Sequence, residues 1–246
     1  MKKIILICII LKTQLAFGQN KTEISFGISN PGQVEKTLED FYFIAHPTAF
    51  QDDAHYGNEK RVKFNLGFSF HLRDSLELRL RVGYSKRVNH YSQAFSNTHW
   101  SVNDFQSVFE ISPSFGFSKR LGRFRFSTGI EIPVYIIGKL KEDLWYQTYA
   151  SSGTIDLAST SEISMPGGTI IGLNNYVRVS TFLSKQLFLY SEINYGLLFA
   201  SLGGNFRNVT TSTFPIEETL INEFEKTYTK WYFSPAQIQF GIGLKF

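Results

Sequence analysis

The chain has 246 residues, of which 43% are hydrophobic and 16% aromatic, and it carries 25 basic and 21 acidic residues. That length suits one β-rich domain or two small ones, and the 19% of charged residues with only 19 Gly and 7 Pro exclude a disordered or collagen-like chain. No apolar run reaches 18 residues, which excludes a retained membrane-spanning helix.

The N-terminus has the three parts of a secretory signal peptide. Lysines supply the charge, residues 4–11 are apolar, and Ala16-Phe17-Gly18 matches the small-x-small cleavage pattern. We therefore expect residues 1–18 to be removed and residues 19–246 to form the mature domain. Loss of three lysines leaves 22 basic and 21 acidic residues, so the mature chain has no electrostatic basis for nucleic-acid binding.

Alternation of apolar and polar residues dominates the mature sequence. Between residues 62 and 72, six apolar side chains alternate with Lys, Asn, Gly, Ser and His. A period of two predicts β-strands with one apolar and one polar face. The pattern predicts eight strands, at 22–29, 61–72, 76–86, 104–118, 123–137, 170–183, 187–200 and 234–246.

The predicted connections alternate between short and long. Short turns are expected at 73–75, 119–122 and 184–186, and long loops at 30–60, 87–103, 138–169 and 201–233. This predicts an all-β fold, an eight-stranded antiparallel transmembrane β-barrel with short periplasmic turns and four long extracellular loops. The alternative, a soluble barrel or sandwich, would turn the apolar face inward and leave the Gly-, Ser-, Asn- and charge-rich face in water, and its strands would usually be shorter than these.

Two of the long loops carry helical patterns. Ile216, Leu220, Phe224 and Tyr228 recur at a spacing of four after Pro215, and Val34, Leu38 and Phe41 form a weaker stripe within residues 32–43. We expect these helices to cap the barrel, and a docking surface for an envelope protein or ligand is the alternative.

The polar face of the strands carries a set of basic and acidic side chains that would point into the barrel. An eight-stranded barrel is barely wider than its own side chains, so charges inside it must pair. We predict a salt-bridged plug, with a narrow or gated ion path as the alternative, and tight pairing of the arginines would favour the plug. The lumen charge network comprises Lys63, Glu77, Arg79, Arg81, Glu110, Arg125, Glu131, Arg178 and Glu192.

The last strand, 236–246, ends at Phe246 on the lipid-facing side. It resembles the C-terminal signal of bacterial outer-membrane barrels, and the mature chain resembles the small eight-stranded barrels of the OmpA-like and "porin family" type. The resemblance implies a Gram-negative outer-membrane location, assembly by the barrel-assembly machinery, and contact with outer-membrane lipid and lipopolysaccharide. It does not imply one activity.

One segment favours an enzymatic alternative. His90 and Ser92 lie two residues apart near the outer interface, and Asp104 on the neighbouring strand could complete a nucleophilic site. The segment resembles the His-x-Ser-Asn motif of the lipid A 3-O-deacylases. It departs from that motif at Gln93, which replaces Asn, and in its place along the chain.

The remaining signals favour no cofactor or metal. The only cysteine is Cys8, in the leader, and His46 and His55 lie near two aspartates without any spaced ligand set. Our leading hypothesis is a non-enzymatic outer-membrane barrel that acts as a structural or interaction module through its long loops. The partner that we expect for such a module is another envelope protein. The alternative functions are a small pore and a lipid A hydrolase.

Overall fold

The structure is a computed structural model, which describes residues 21–30, 34, 37, 38, 40, 41, 62–73 and 75–246. Twelve antiparallel strands make up almost all of it. They are β1 (Lys21–Ser29), β2 (Lys63–Arg73), β3 (Leu76–Phe95), β4 (Thr98–Leu121), β5 (Phe124–Glu131), β6 (Val134–Ile137), β7 (Leu140–Tyr149), β8 (Ile155–Met165), β9 (Gly168–Phe182), β10 (Leu187–Phe214), β11 (Glu218–Phe233) and β12 (Gln237–Lys245).

The strand pairings form a closed ring with eight positions. The first four strands pair in sequence, β5 and β6 together occupy the fifth position, and β9, β10 and β12 occupy the last three. The ring closes where β12 pairs with β1, from Glu23↔Lys245 to Ser29↔Gln239. The predicted eight-stranded antiparallel barrel is confirmed.

Apolar side chains cover the outside of the ring, and polar side chains fill its inside. Phe64 and Phe240 are 63% and 58% exposed on the outer surface, whereas Arg81 and Glu110 are 2% and 0% exposed on the inner one. Burial of polar residues with exposure of large apolar ones is the arrangement of a barrel whose surroundings are lipid.

Three of the eight strands of the barrel are interrupted, by four breaks in all, and this is why the structure has twelve strands. Pro133 separates β5 from β6, Pro166 separates β8 from β9, and Pro235 separates β11 from β12. Proline has no N–H to donate to a ladder, so a strand that contains it loses a bond there. Gly138 and Lys139 make the fourth break, between β6 and β7.

Three of the four predicted long connections are not irregular loops, because the strands continue through them. Hairpins β3–β4, β7–β8 and β10–β11 occupy most of 87–103, 138–169 and 201–233. The upper part of β4 pairs with β7, and the upper part of β10 pairs with β8. The hairpins therefore join into one six-stranded extension of the barrel wall, in the order β3-β4-β7-β8-β10-β11, which we call the outer sheet.

The helix predicted over 216–228 is wrong, because this segment forms β11. All of β11 pairs with β10, from Leu197↔Phe233 to Ser212↔Glu218. A spacing of four residues places side chains on one face of a strand as well as on one face of a helix, since four is a multiple of two. The apolar stripe therefore could not distinguish the two structures.

The weaker helical pattern agrees with the described residues of its segment. Val34, Leu38 and Phe41 have helical backbone and are buried at the top of the barrel. No helix in the described part of the chain is long and apolar enough to cross a membrane. The rest of the predicted 30–60 loop lies outside the described residues.

The Tyr176 ring lies over a glycine on the inside of the wall. A Cβ added at Gly116 would lie 2.2 Å from the Tyr176 hydroxyl and 2.4 Å from the Thr128 carbonyl oxygen. The first atom is the end of a well-packed buried ring and the second is backbone, so neither can retreat easily. The glycine is required for this close approach.

We predict that Gly116→Ala destabilises the barrel by about 1–3 kcal/mol, because the added methyl overpacks the interior. The matched control is Gly67→Ala, where the added Cβ would meet only the Ser25 hydroxyl, at 2.6 Å, and the next atoms lie at 3.9 Å. Urea unfolding in detergent, followed by heat-modifiable gel mobility, measures both variants. Equal stability of the two would contradict the packing argument.

Candidate functional site

The closed ring brings the predicted charges together in the lower lumen. All nine residues of the lumen charge network lie on strands of the ring, on the side facing inward, and each is at most 6% exposed. They come from β2, β3, β4, β5, β9 and β10. Glu23 of β1 joins them, so five basic and five acidic side chains share the lumen.

Arg81 is the centre of this network. Its Nη2 donates to Oε1 of Glu110 at 2.8 Å and to Oε1 of Glu131 at 2.6 Å. Its Nη1 donates to Oε1 of Glu192 at 2.9 Å. One guanidinium therefore joins carboxylates from three different strands, β4, β5 and β10, across the lumen.

Two further arginines extend the network towards the short turns. Arg79 Nη2 donates to Glu192 Oε2 at 2.6 Å, and its guanidinium lies 4.4 Å from the centroid of the Tyr176 ring. The Arg178 guanidinium lies 3.9 Å from the Tyr190 ring. Cations over aromatic faces gain electrostatic energy in a dry environment, so these rings supplement the carboxylates.

The two ends of the network are also paired. Arg125 forms a salt bridge with Glu23, and His71 Nε2 lies 3.4 Å from the same carboxylate, at the level of the short turns. At the other end Lys63 binds Glu110 and donates to Gln237 Oε1 at 2.9 Å. Ion pairs thus occupy the lower lumen along its length, and Glu77–Arg79 and Arg178–Glu192 are the longest of them, at 4.0 Å.

An apolar cluster closes the upper lumen, which the alternation pattern did not predict. Phe41 of the helical segment packs against Phe206 and Tyr228, with ring centroids 5.8 and 5.7 Å apart. The cluster comprises Val34, Leu38, Phe41, Val108, Tyr135, Ile137, Leu140, Ile163, Met165, Ile170, Leu198, Ala200, Leu202 and Phe206. Apolar residues on the inward face, such as Val108, Ile170 and Leu198, were the signal that could have revealed it.

A smaller buried charge group lies above the lipid-facing band, in the outer sheet. Arg87 Nη2 donates to Asp104 Oδ2 at 3.1 Å, and Glu142 is the cross-strand neighbour of Asp104. Burial and the Asp104 carboxylate raise the pKa of Glu142 to about 7. The described residues contain no group of three or more His, Cys, Asp or Glu that could hold a metal, and His46 and His55 lie outside them.

The residues of the hydrolase alternative lie on two faces of the wall. His90 and Ser92 are exposed on the outer face, whereas Asp104 is 5% exposed on the inner face and pairs with Arg87. His90 Nδ1 lies 2.6 Å from Asn103 Oδ1 instead. The structure therefore does not bring Asp104 to the imidazole.

No protein-family model and no curated protein matches the chain. The chain is similar to several solved structures. One is a major outer membrane protein from Thermus thermophilus, which is 11% identical to this chain with a TM-score of 0.42. The match covers 93% of this chain and 100% of that one. The attachment invasion locus protein Ail of Yersinia pestis, solved with the heparin analogue sucrose octasulfate, is 8% identical with a TM-score of 0.41 (92% and 97% covered). The outer membrane protein OprG from Pseudomonas aeruginosa is 9% identical with a TM-score of 0.39 (92% and 95% covered).

We predict that Arg81→Met lowers the free energy of unfolding by about 3–5 kcal/mol, because it leaves buried carboxylates without their shared cation. Adding Glu131→Gln should recover part of the loss, since Glu110 and Glu192 keep Lys63 and Arg79 as partners. Urea unfolding in detergent measures both variants.

The control for this experiment is Arg207→Met, which breaks an exposed ion pair with Glu223 of 3.2 Å. Exposed pairs contribute about 0–1 kcal/mol, so this change should be nearly neutral. A similar loss of unfolding free energy in both variants would contradict the larger contribution that we assign to the buried network.

We predict that the outer sheet opens more readily at pH 8 than at pH 5. The pKa of Glu142 is raised in the folded chain from its ordinary value of 4.5 to about 7. Between these two pH values the folded state therefore holds a proton that the unfolded state has lost. The stability this provides is present at low pH and is lost as the pH rises through the folded pKa. Protection factors of the β7 amides, in which hydrogen exchange is corrected for the intrinsic effect of pH, should show the difference, and Glu142→Gln should remove it; an unchanged difference in that variant would assign it to another group.

Proposed function

We propose that this outer-membrane β-barrel is a non-conducting, non-enzymatic interaction module that presents the outer sheet to a protein partner at the cell surface. The observation that carries the proposal is the contrast between the two ends of the molecule. Paired charges and an apolar cluster fill the lumen, whereas three hairpins continue the wall as one sheet. A rigid, paired sheet on a closed barrel is suited to recognition rather than passage.

The outer sheet has the order that a recognition surface requires. Ladder hydrogen bonds join β4 to β7 over Thr98–Phe105 and β8 to β10 over Arg207–Phe214. Residues on such a sheet are held by their neighbours, so binding a partner costs little ordering entropy. Because its strands are connected and do not form separate loops, the outer sheet is suited to binding a partner.

The β10–β11 hairpin offers the contact residues that we favour. Leu220 and Phe224 are 57% and 41% exposed on one face of β11, and Ile216 is 71% exposed at the tip beside Glu217 and Glu218. A cluster of exposed apolar side chains rimmed by charge is typical of protein–protein contact sites. We therefore assign the partner as an envelope or extracellular protein with an apolar surface and basic residues at its rim.

The lipid contacts of the module follow from its exterior. The apolar band faces acyl chains, and the side that carries the outer sheet would meet lipopolysaccharide. Delivery by the barrel-assembly machinery through the last strand stays a prediction. The separation of Asp104 from His90 and Ser92 supports a non-enzymatic role.

A crosslinking experiment tests the interaction. A photo-crosslinking amino acid at Leu220, in the full-length protein in intact cells, should capture one reproducible partner identified by mass spectrometry. The matched control is the same amino acid at Gln186, in an exposed short turn at the opposite end. No capture from Leu220, or the same proteins from both positions, would contradict the proposed surface.

Conductance tests the closed lumen. The purified barrel should produce no steady current in a planar bilayer, because Arg81 and its three carboxylates cross the lumen below the apolar cluster. A steady current that Arg79→Ala or Arg81→Ala alters would assign the chain as a small pore.

A further inference from the structure

Besides Arg120, which donates to the Gly122 carbonyl oxygen at 3.1 Å, the end of the barrel opposite the outer sheet carries three exposed basic side chains among the described residues. Lys119 belongs to β4, Arg123 lies in the β4–β5 turn and Lys185 in the β9–β10 turn. Within the part of the chain that the structure describes, their side chains form no hydrogen bond or ion pair. The only acidic residue in the three short turns is Asp74.

Lys119 lies on the lipid-facing surface, among apolar residues. Phe117 and Leu121 flank it on the same face of β4 and are 58% and 55% exposed. Phe126, 46% exposed, is its direct neighbour across the pair with β5. A lysine in such surroundings extends its ammonium group along the apolar surface to the nearest headgroups.

Arg123 and Lys185 come from two turns that are joined. The Arg123 carbonyl accepts a hydrogen bond of 2.8 Å from the Phe182 N–H, which holds the β4–β5 turn against the end of β9. Exposed apolar residues lie next to each basic one along the chain. Phe124 follows Arg123 and is 48% exposed, and Leu183 precedes Lys185 by two and is 59% exposed.

We infer that Lys119, Arg123 and Lys185 form a binding site for the phosphate of an anionic glycerophospholipid in the leaflet on the short-turn side. The lipid-facing residues beside them would contact its acyl chains, and the three cations complement its charge. Basic residues at a membrane surface attract anionic lipid, and each adds to the affinity. The site lies at the opposite end from the proposed protein contact and goes beyond that function.

Native mass spectrometry tests the site. The full-length protein, purified from membranes in a non-ionic detergent, is mixed with phosphatidylglycerol or with phosphatidylcholine, and bound lipid is counted. We expect a preference for phosphatidylglycerol, about a fivefold loss of affinity for each of Lys119→Gln, Arg123→Gln and Lys185→Gln, and no preference in the triple variant. Lys119→Arg should retain it, because the charge remains.

The control is Lys141→Gln, which removes an exposed basic residue from β7 in the outer sheet and should leave the preference unchanged. Heat-modifiable gel mobility verifies that every variant is folded. Equal preference in the wild type and the triple variant would overturn the site. Displacement of phosphatidylglycerol by equimolar inorganic phosphate would overturn the lipid assignment. Absence of any preference for phosphatidylglycerol in the wild type would also overturn the lipid assignment. An acidic periplasmic protein would then be the better partner.

Discussion

Pairing of charge inside a closed ring is the constraint on which the structure depends. An ion inside an eight-stranded barrel cannot reach bulk water, and each unpaired one costs several kcal/mol. Arg81 meets this constraint by binding carboxylates from β4, β5 and β10 at once. These contacts exist only if the three strands have the correct register, because a shift of one residue would turn the charges outward. The network therefore specifies the register of the barrel as well as filling it.

The outer sheet follows from the same wall. Strands β4 and β10, of 24 and 28 residues, are longer than a membrane crossing requires. Each acquires a new neighbour where the old one ends, as β7 replaces β6 along β4 and β8 replaces β9 along β10. Proline or glycine lies at each change of neighbour, so the breaks redirect the chain without unpairing the long strands. The outer sheet is thereby continuous with the strands of the membrane part.

The sequence predicts the membrane part well and the outer part poorly, for a physical reason. Between two different environments, lipid and lumen, alternation is strict, and the predicted strands at 22–29 and 76–86 match β1 and the lower half of β3. Above the lipid both faces meet mixed surroundings, so β11 mixes apolar and charged residues on one face and imitates a helix. Lumen residues were identifiable from parity. Their pairs, such as Arg81 with Glu192, depend on which strands become neighbours across the barrel.

Closure of the ring has a consequence for the order of folding. Hairpins such as β2–β3 and β9–β10 join segments close in the chain, whereas the β1–β12 pairing joins its two distant ends. Long-range pairings form last, because closing a long loop costs more entropy. Until then β1 and β12 each have a bare backbone edge, which hydrocarbon does not tolerate. Each of these two edges must therefore be paired or covered by another protein before it meets hydrocarbon.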